Sequence, residues 1–195
     1  MSSKEKDVGV GQVLGDRWRL RRRVGKGTFS EIFEAADLRG KKGADGRHPH
    51  VAVKIARDSH KCSMLQHEHD VLDGLQACPD VARLIELGKD ASCSYLVMTL
   101  FGENISELRR MTPTKRFSLR MTALLGLQLV EAIRRMHEQG FIHRDIKPSN
   151  CCIGLLQDNE CFLCDFGLVQ AARAERVLVE RVRAHASAAR RKRVL

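Results

Sequence analysis

Phe141-Ile142-His143-Arg144-Asp145-Ile146-Lys147-Pro148-Ser149-Asn150, answered a short distance on by Asp165-Phe166-Gly167, is the stretch on which the reading of this chain turns. Asp145, Lys147 and Asn150 crowd onto one loop, opened by two apolar residues and pinned by Pro148. Asp165 follows the apolar run Phe162-Leu163. Two acids, an amide and an ammonium at these spacings suit a site that handles phosphate and a divalent metal. Hard cations take oxygen ligands such as carboxylate and amide carbonyl. A hydroxyl nucleophile needs a carboxylate within hydrogen-bond reach.

Upstream, a second group of residues points to the same chemistry. Trp18, Leu20, Arg22 and Val24 alternate onto one face of an expected strand, which leads into Gly25-Lys26-Gly27-Thr28-Phe29-Ser30. Two glycines one residue apart let a backbone approach a phosphate with no Cβ in the way, although hairpin turns use glycine similarly. A second strand from Ile32 to Ala36 and a third, Val51-Ala52-Val53-Lys54-Ile55, follow. Lysine is almost never buried without a partner, so Lys54 needs anions. The next segment offers one: Met64, Leu65, Val71, Leu72 and Leu75 recur at helical spacing, with Ser59 or Ser63 as cap, and Glu68 lies on their apolar stripe. A carboxylate there must be paired or protonated. A Lys54–Glu68 pair satisfies both residues and leaves the ammonium able to hold phosphates.

The remaining segments read as scaffold. Arg39 to His50 is a polar, glycine-rich insert whose His48 and His50 flank Pro49 in an exposed turn. His67 and His69 flank Glu68 at i and i+2 and cannot face one another on a helix, so no metal site is expected there. Val81 to Leu87 and Ser94 to Leu100 predict two strands around Gly88-Lys89-Asp90, and Asn104 to Arg110 a short helix. Ser118 is a candidate cap for a long helix with the stripe Leu125, Leu129, Ala132, Ile133 and Met136, closed by Gly140. Cys151 to Leu155 and Cys161 to Cys164 predict a hairpin. Cys161 and Cys164 form a C-x-x-C, but i and i+3 on a strand point to opposite faces. With no second pair at zinc spacing, they read as small core hydrophobes.

The bulk numbers set limits. At 195 residues, with 43% apolar and 30% charged residues, the chain suits one domain with tails. No apolar run approaches the ~18 residues of a membrane span, and Met1 to Asp7 holds no signal-peptide core. Seven cysteines at irregular spacing suit a reducing, intracellular compartment, cytoplasmic or nuclear. The net charge of +10 favours acidic partners. Most of it lies in Ala171 to Leu195, where eight basic residues face two acidic ones, leaving +6. That tail is compatible with a basic amphipathic helix or with disorder. It alone suggests nucleic acid, and no RNA or DNA motif supports the suggestion.

From about Gly15 to Gln170 the chain resembles the eukaryotic-type serine/threonine protein kinases of the casein kinase 1 group, and within it the tau-tubulin kinases. His143-Arg144-Asp145 with Asn150, then Asp165-Phe166-Gly167, matches the kinase pattern H-R-D-x-x-x-x-N and D-F-G in order. Leu14-Gly15-Asp16-Arg17-Trp18, Met98-Thr99-Leu100-Phe101-Gly102-Glu103-Asn104 and Leu108-Arg109-Arg110 suggest the branch. The resemblance implies an α+β, bilobal protein-kinase-like fold with a complete β-rich N-lobe (about 17–101) and a partial helical C-lobe (about 102–170). It follows a flexible leader over 1–16.

By the same resemblance Val24, Gly25 and Gly27 cover the phosphates of ATP, and Lys54 with Glu68 grips them. Met98 guards the adenine pocket, with Thr99, Leu100 and Phe101 as hinge. Asp145 and Lys147 are catalytic, and Asn150 and Asp165 hold Mg2+. Two departures stand out. Ser30 replaces the third glycine of the loop. Past Gln170 the family pattern stops, so neither an activation segment nor the lower C-lobe is expected. The implied function is ATP-dependent phosphoryl transfer to serine or threonine of protein substrates. The alternative is a nucleotide-binding but inactive kinase fragment acting through partners.

Overall fold

A computed structural model describes residues 8–26, 30–56, 59–91, 93–155 and 160–172. Gly27 of the expected phosphate loop, the hairpin turn 156–159 and the basic tail from 173 onward lie outside these residues.

The organising element is a six-stranded sheet in the order β1-β2-β3-β4-β6-β5, antiparallel throughout. Its strands are β1 (Val13–Leu14), β2 (Trp18–Lys26), β3 (Glu31–Asp37), β4 (His50–Ala56), β5 (Leu84–Lys89) and β6 (Ser94–Thr99). Strand β4 lies between β3 and β6, and its β-branched run suits a position covered on both faces. Val51, Val53 and Ile55 join Leu14, Trp18 and Phe33 in one core. The alternate residues Ala52, Lys54 and Ala56 therefore look the other way, toward helix α1 (Ser59–Gly74), where Ala56 packs with Leu65 and Leu96.

Beyond the sheet, α2 (Ile105–Met111) starts at Asn104, whose side chain accepts from the N–H of Glu107. Helix α3 (Leu119–Glu138) starts at Ser118, whose hydroxyl accepts from the N–H of Met121. It ends before Gly140, at φ 84°. The chain continues through β7 (Phe141–Ile142), a 3-10 turn (Pro148–Asn150), β8 (Cys151–Ile153), β9 (Cys161–Leu163) and β10 (Gln170–Ala171). β8 pairs with β9, and β10 with β7. A second core joins Val71 and Leu72 of α1, with Leu75 just past its end, to Leu125, Ala132 and Met136 of α3 and to Leu163 and Phe166. Leu129 and Ile133, also on the expected stripe, are only half-buried. The opposite face of α3 exposes Leu119, Leu127 and Val130.

Four details revise the sequence expectations. The leader expected over 1–16 is part of the fold from Val8 on: Val8 and Leu14 are buried, and Val13–Leu14 pairs with β2. Irregularities in the β2–β3 register fall between Leu20 and Arg22 and between Arg23 and Gly25. Such bulges break alternation, so Trp18 and Leu20 are buried while Arg22 and Val24 are exposed. Strand β5 begins later than expected, because Val81 instead bridges Leu163 in parallel. Finally, Gly88 and Lys89 belong to β5 rather than to the turn. A Cβ on Gly88 would lie 2.1 Å from Cζ of Tyr95, so the aromatic ring takes the space a side chain needs.

A polar brace closes the far end of the sheet. The Arg17 guanidinium donates to both carboxylate oxygens of Asp37 at 2.8 Å and lies 4.1 Å over the Trp18 ring. Glu86 accepts from the Trp18 indole at 3.2 Å and from the Tyr95 hydroxyl at 3.1 Å. Burial, then the bond to Glu86, pushes the Tyr95 phenol up to about 12.

Candidate active site

Lys54 extends from the α1 side of β4, so its ammonium meets the buried face of α1. Nζ donates to Glu68 Oε2 at 2.5 Å and to Asp165 Oδ1 at 3.0 Å. The Lys54 and Glu68 side chains are 9% and 5% exposed, while that of Asp165 is 50% exposed. Burial pulls the Lys54 ammonium down, but Glu68 and Asp165 outweigh it and hold the group above its ordinary value. Lys54 is a fixed cation at the lip of the sheet, with one acidic partner buried and the other half in solvent.

The second cluster lies on the loop between β7 and β8. Lys147 Nζ donates to Asp145 Oδ2 at 2.7 Å. The Asn150 amide donates to the same oxygen at 2.8 Å and to the Asp145 carbonyl at 3.0 Å. The bond from Lys147 does most to keep the Asp145 carboxyl below the ordinary carboxylate value. Pro148 at the start of the 3-10 turn restrains the loop, bringing Asn150 back beneath Asp145.

Two links join the clusters. The N–H of Cys164 donates to the carbonyl of Asn150 at 2.9 Å. His143 receives the N–H of Asp145 at Nδ1, 3.4 Å away, and so carries its proton on Nε2, which donates to the Cys164 carbonyl at 3.2 Å. Burial pushes the His143 imidazole down, in keeping with a neutral ring. The ring packs at a tilt on Phe166, with centroids 5.5 Å apart. Arg144 and Asp165 adopt left-handed backbone at φ 63° and 65°, a conformation that non-glycine residues hold chiefly where the surroundings enforce it.

Met98 and Thr99, expected on the adenine side, end β6, and Leu100 and Phe101 follow directly. Met98 lies opposite Ala52 and Leu84 and packs against two of the cores. Thr99 donates its N–H to Arg83 O, and its hydroxyl accepts the N–H of Arg83. The N–H and the hydroxyl of Thr99 are therefore both engaged by Arg83. The Phe101 ring stacks on Phe162 at 4.4 Å and 18°. Gly25 pairs with Ile32 in the β2–β3 ladder, whereas Val24 is turned outward.

The donor set fits a hard divalent cation. Both amide hydrogen bonds of Asn150 go to Asp145, leaving its carbonyl oxygen as a ligand, and Asp165 offers a half-exposed carboxylate. Magnesium is commonly held by one or two protein oxygens together with substrate phosphates. No group of three or more His, Cys, Asp or Glu residues suited to a metal exists among the described residues. His67 instead meets the carbonyl of Val169 at 3.0 Å.

Residues 18–186 match the protein kinase domain family. The chain belongs to the protein kinase family. The match runs past Gln170, which corrects the expectation that the family pattern stops there. A Dictyostelium discoideum protein named "Probable serine/threonine-protein kinase" is 38% identical over 163 residues, 83% of this chain and 32% of that protein. A Caenorhabditis elegans protein named "Putative casein kinase I" is 27% identical over 174 residues, 88% of this chain and 50% of that protein. This kinase chain thus spans a third to a half of the length of these relatives.

Two contributors escaped the sequence reading. Arg144 donates to the Leu168 carbonyl at 2.7 Å and to the Gln170 side chain at 2.8 Å, tying the catalytic loop to the segment after Gly167. His67 ties α1 to the same segment. The positions of Arg144 and His67 in sequence carry no pattern that names these partners, which lie 24 and 102 residues away.

Proposed function

We propose that this chain transfers the γ-phosphoryl group of ATP to a serine or threonine hydroxyl of a protein substrate, through a bilobal site of the casein kinase 1 type. The observation that carries the reading is the Lys54 ammonium seated between buried Glu68 and half-exposed Asp165. Glu68 keeps Lys54 directed at the cleft, where it binds the phosphates. Asp145, oriented by Lys147 and Asn150, accepts the proton of the substrate hydroxyl at its carboxylate. Lys147 steadies the transferring group by its charge. When bound to Asp165 and Asn150, magnesium supplies charge neutralisation on the phosphates. Most of the rate enhancement then comes from positioning and fixed charge, as is general for phosphoryl transfer.

The test is transfer of radiolabelled phosphate from ATP to a mixed protein substrate. Transfer is expected, and Asp145→Asn should reduce it by about 10²-fold or more, the scale of losing one preorganised group. Transfer indifferent to Asp145→Asn would overturn the mechanism. Magnesium-dependent ATP binding without transfer would favour the second reading, an inactive nucleotide-binding kinase fragment.

A further inference from the structure

Four of the seven cysteines lie on the single hairpin that carries the chain from the catalytic loop to Asp165. The register places Cys152 opposite Phe162, Cys151 opposite Leu163 and Ile153 opposite Cys161. The hydrogen bond from Cys164 N–H to Asn150 O continues this ladder by one residue. Side chains alternate across a strand, so the four thiols divide into two cross-strand diagonals. Cys151 and Cys161 share the inner face and are buried in the core with Leu163. Cys152 and Cys164 share the outer face with Phe162, are half-buried, and lie near enough for each thiol to shift the other's proton affinity, while Cys164 Sγ itself points to the Phe162 carbonyl at 3.9 Å. The sequence pairs Cys164 with Cys161 as a C-x-x-C. The fold pairs it with Cys152.

We infer that Cys152 and Cys164 form an oxidisable dithiol, a modification site that hydrogen peroxide converts to a disulfide beside Asp165. Peroxide oxidises one thiol to a sulfenic acid and is itself reduced, releasing one water. The neighbouring sulfur then displaces the sulfenic hydroxyl, which leaves with the second thiol proton as another water. Two thiols and one peroxide thus become one disulfide and two waters. The inner pair is shielded by the core and stays reduced.

The new bond acts on the site through Cys164. A disulfide needs Cβ atoms ~3.5–4.5 Å apart, closer than diagonal cross-strand neighbours stand, so the strand ends must draw together. Cys164 is bonded to Asn150 through its N–H and to His143 through its carbonyl, and it directly precedes Asp165. Asp165 already sits at φ 65° and holds Lys54 at 3.0 Å. Closing the disulfide therefore shifts the carboxylate that faces Lys54. The disulfide does not depend on the proposed activity; its effect on nucleotide does, and the two are measured separately.

The full chain, freed of reductant, is treated with a small molar excess of hydrogen peroxide and followed by intact mass and peptide mapping. The expected product has lost two hydrogens, links the peptides of Cys152 and Cys164, and reverts with dithiothreitol. Cys152→Ser and Cys164→Ser should each abolish the product, while a Cys151→Ser/Cys161→Ser double variant should retain it. Should a serine variant fail to fold, mapping the link in the unaltered chain still decides the matter. Oxygen added separately at Cys152 and Cys164, or a link made by another cysteine instead, would overturn the inference. Magnesium–ATP affinity should fall at least several-fold on oxidation, recover with dithiothreitol, and be indifferent to peroxide in Cys152→Ser. Unchanged affinity in the cross-linked chain would overturn the coupling to Asp165. Absence of nucleotide binding in the reduced chain would count against the proposed function instead.

Discussion

Two charged clusters hold this molecule together, and they are built to opposite specifications. In the brace, Arg17 and Asp37 meet through two parallel hydrogen bonds, and both oxygens of Glu86 are taken by Trp18 and Tyr95. In the cleft, Lys54 and Glu68 are buried, but Asp165 gives one oxygen to Lys54 and stands half in solvent. Lys147 and Asp145 are paired at 50% and 27% side-chain exposure. A saturated network rigidifies. A network with outward-facing capacity can receive a ligand. What separates a brace from a site is therefore the capacity left over after the protein has satisfied itself, and not the number of charges.

Substitutions should divide along this line, beginning with the largest effect. Asp165→Asn should lower phosphoryl transfer by about 10²-fold or more while leaving the melting temperature close to that of the parent. A large loss of stability with transfer retained would reverse the assignment of the two clusters. Next comes Gly88→Ala in the brace, which drives a methyl group into Tyr95. Overpacking of this kind costs about 1–3 kcal/mol, read as a lower urea midpoint, with ATP affinity of the folded fraction unchanged. An unchanged midpoint would show that the Tyr95 ring can move aside.

A smaller effect should come from His143, which links the two halves of the cleft. Its pKa is ordinarily 6.5 and is depressed by burial in the folded chain. Above about 6.5 both folded and unfolded chains hold it neutral, and it adds no pH dependence. Below that value the unfolded chain takes up a proton that the folded one resists, so stability falls with pH until the folded pKa is passed. Thermal melts between pH 7 and 5 should show this slope, and His143→Asn should reduce it. The smallest effect belongs to Arg134 on α3, which bridges Glu131 and Glu138. Its hydrogen bond is the main force holding Glu131 down to about 2, yet the Glu131 and Arg134 side chains are 41% and 52% exposed. Solvent screening leaves such pairs with little net value, and Arg134→Ala should not move the melting temperature measurably.

What was legible in sequence follows from the distance over which a signal acts. Lys54 and Glu68 could be paired in advance because each violates its own local pattern, one inside a strand and one on a helix stripe. Ser118 and Asn104 mark their helices because capping is a local hydrogen bond. The α+β class and the Cys151–Cys164 hairpin were readable for the same reason. The brace was not, since Trp18 and Glu86 are 68 residues apart and neither position is unusual for its strand. The bulges in β2 defeated the alternation at Arg22 and Val24, because one extra residue reverses every later side chain. That Cys152 and Cys164 share one face of the hairpin also waited for the register, as nothing in their spacing distinguishes them from Cys161 and Cys164.

The chain has one tryptophan and one tyrosine, and Glu86 binds both. Its ultraviolet emission therefore comes from a single corner of the sheet. Fluorescence is suited to following the assembly of that corner during folding. It is a poor reporter of nucleotide entering the cleft, for which a labelled ligand or calorimetry is the better instrument.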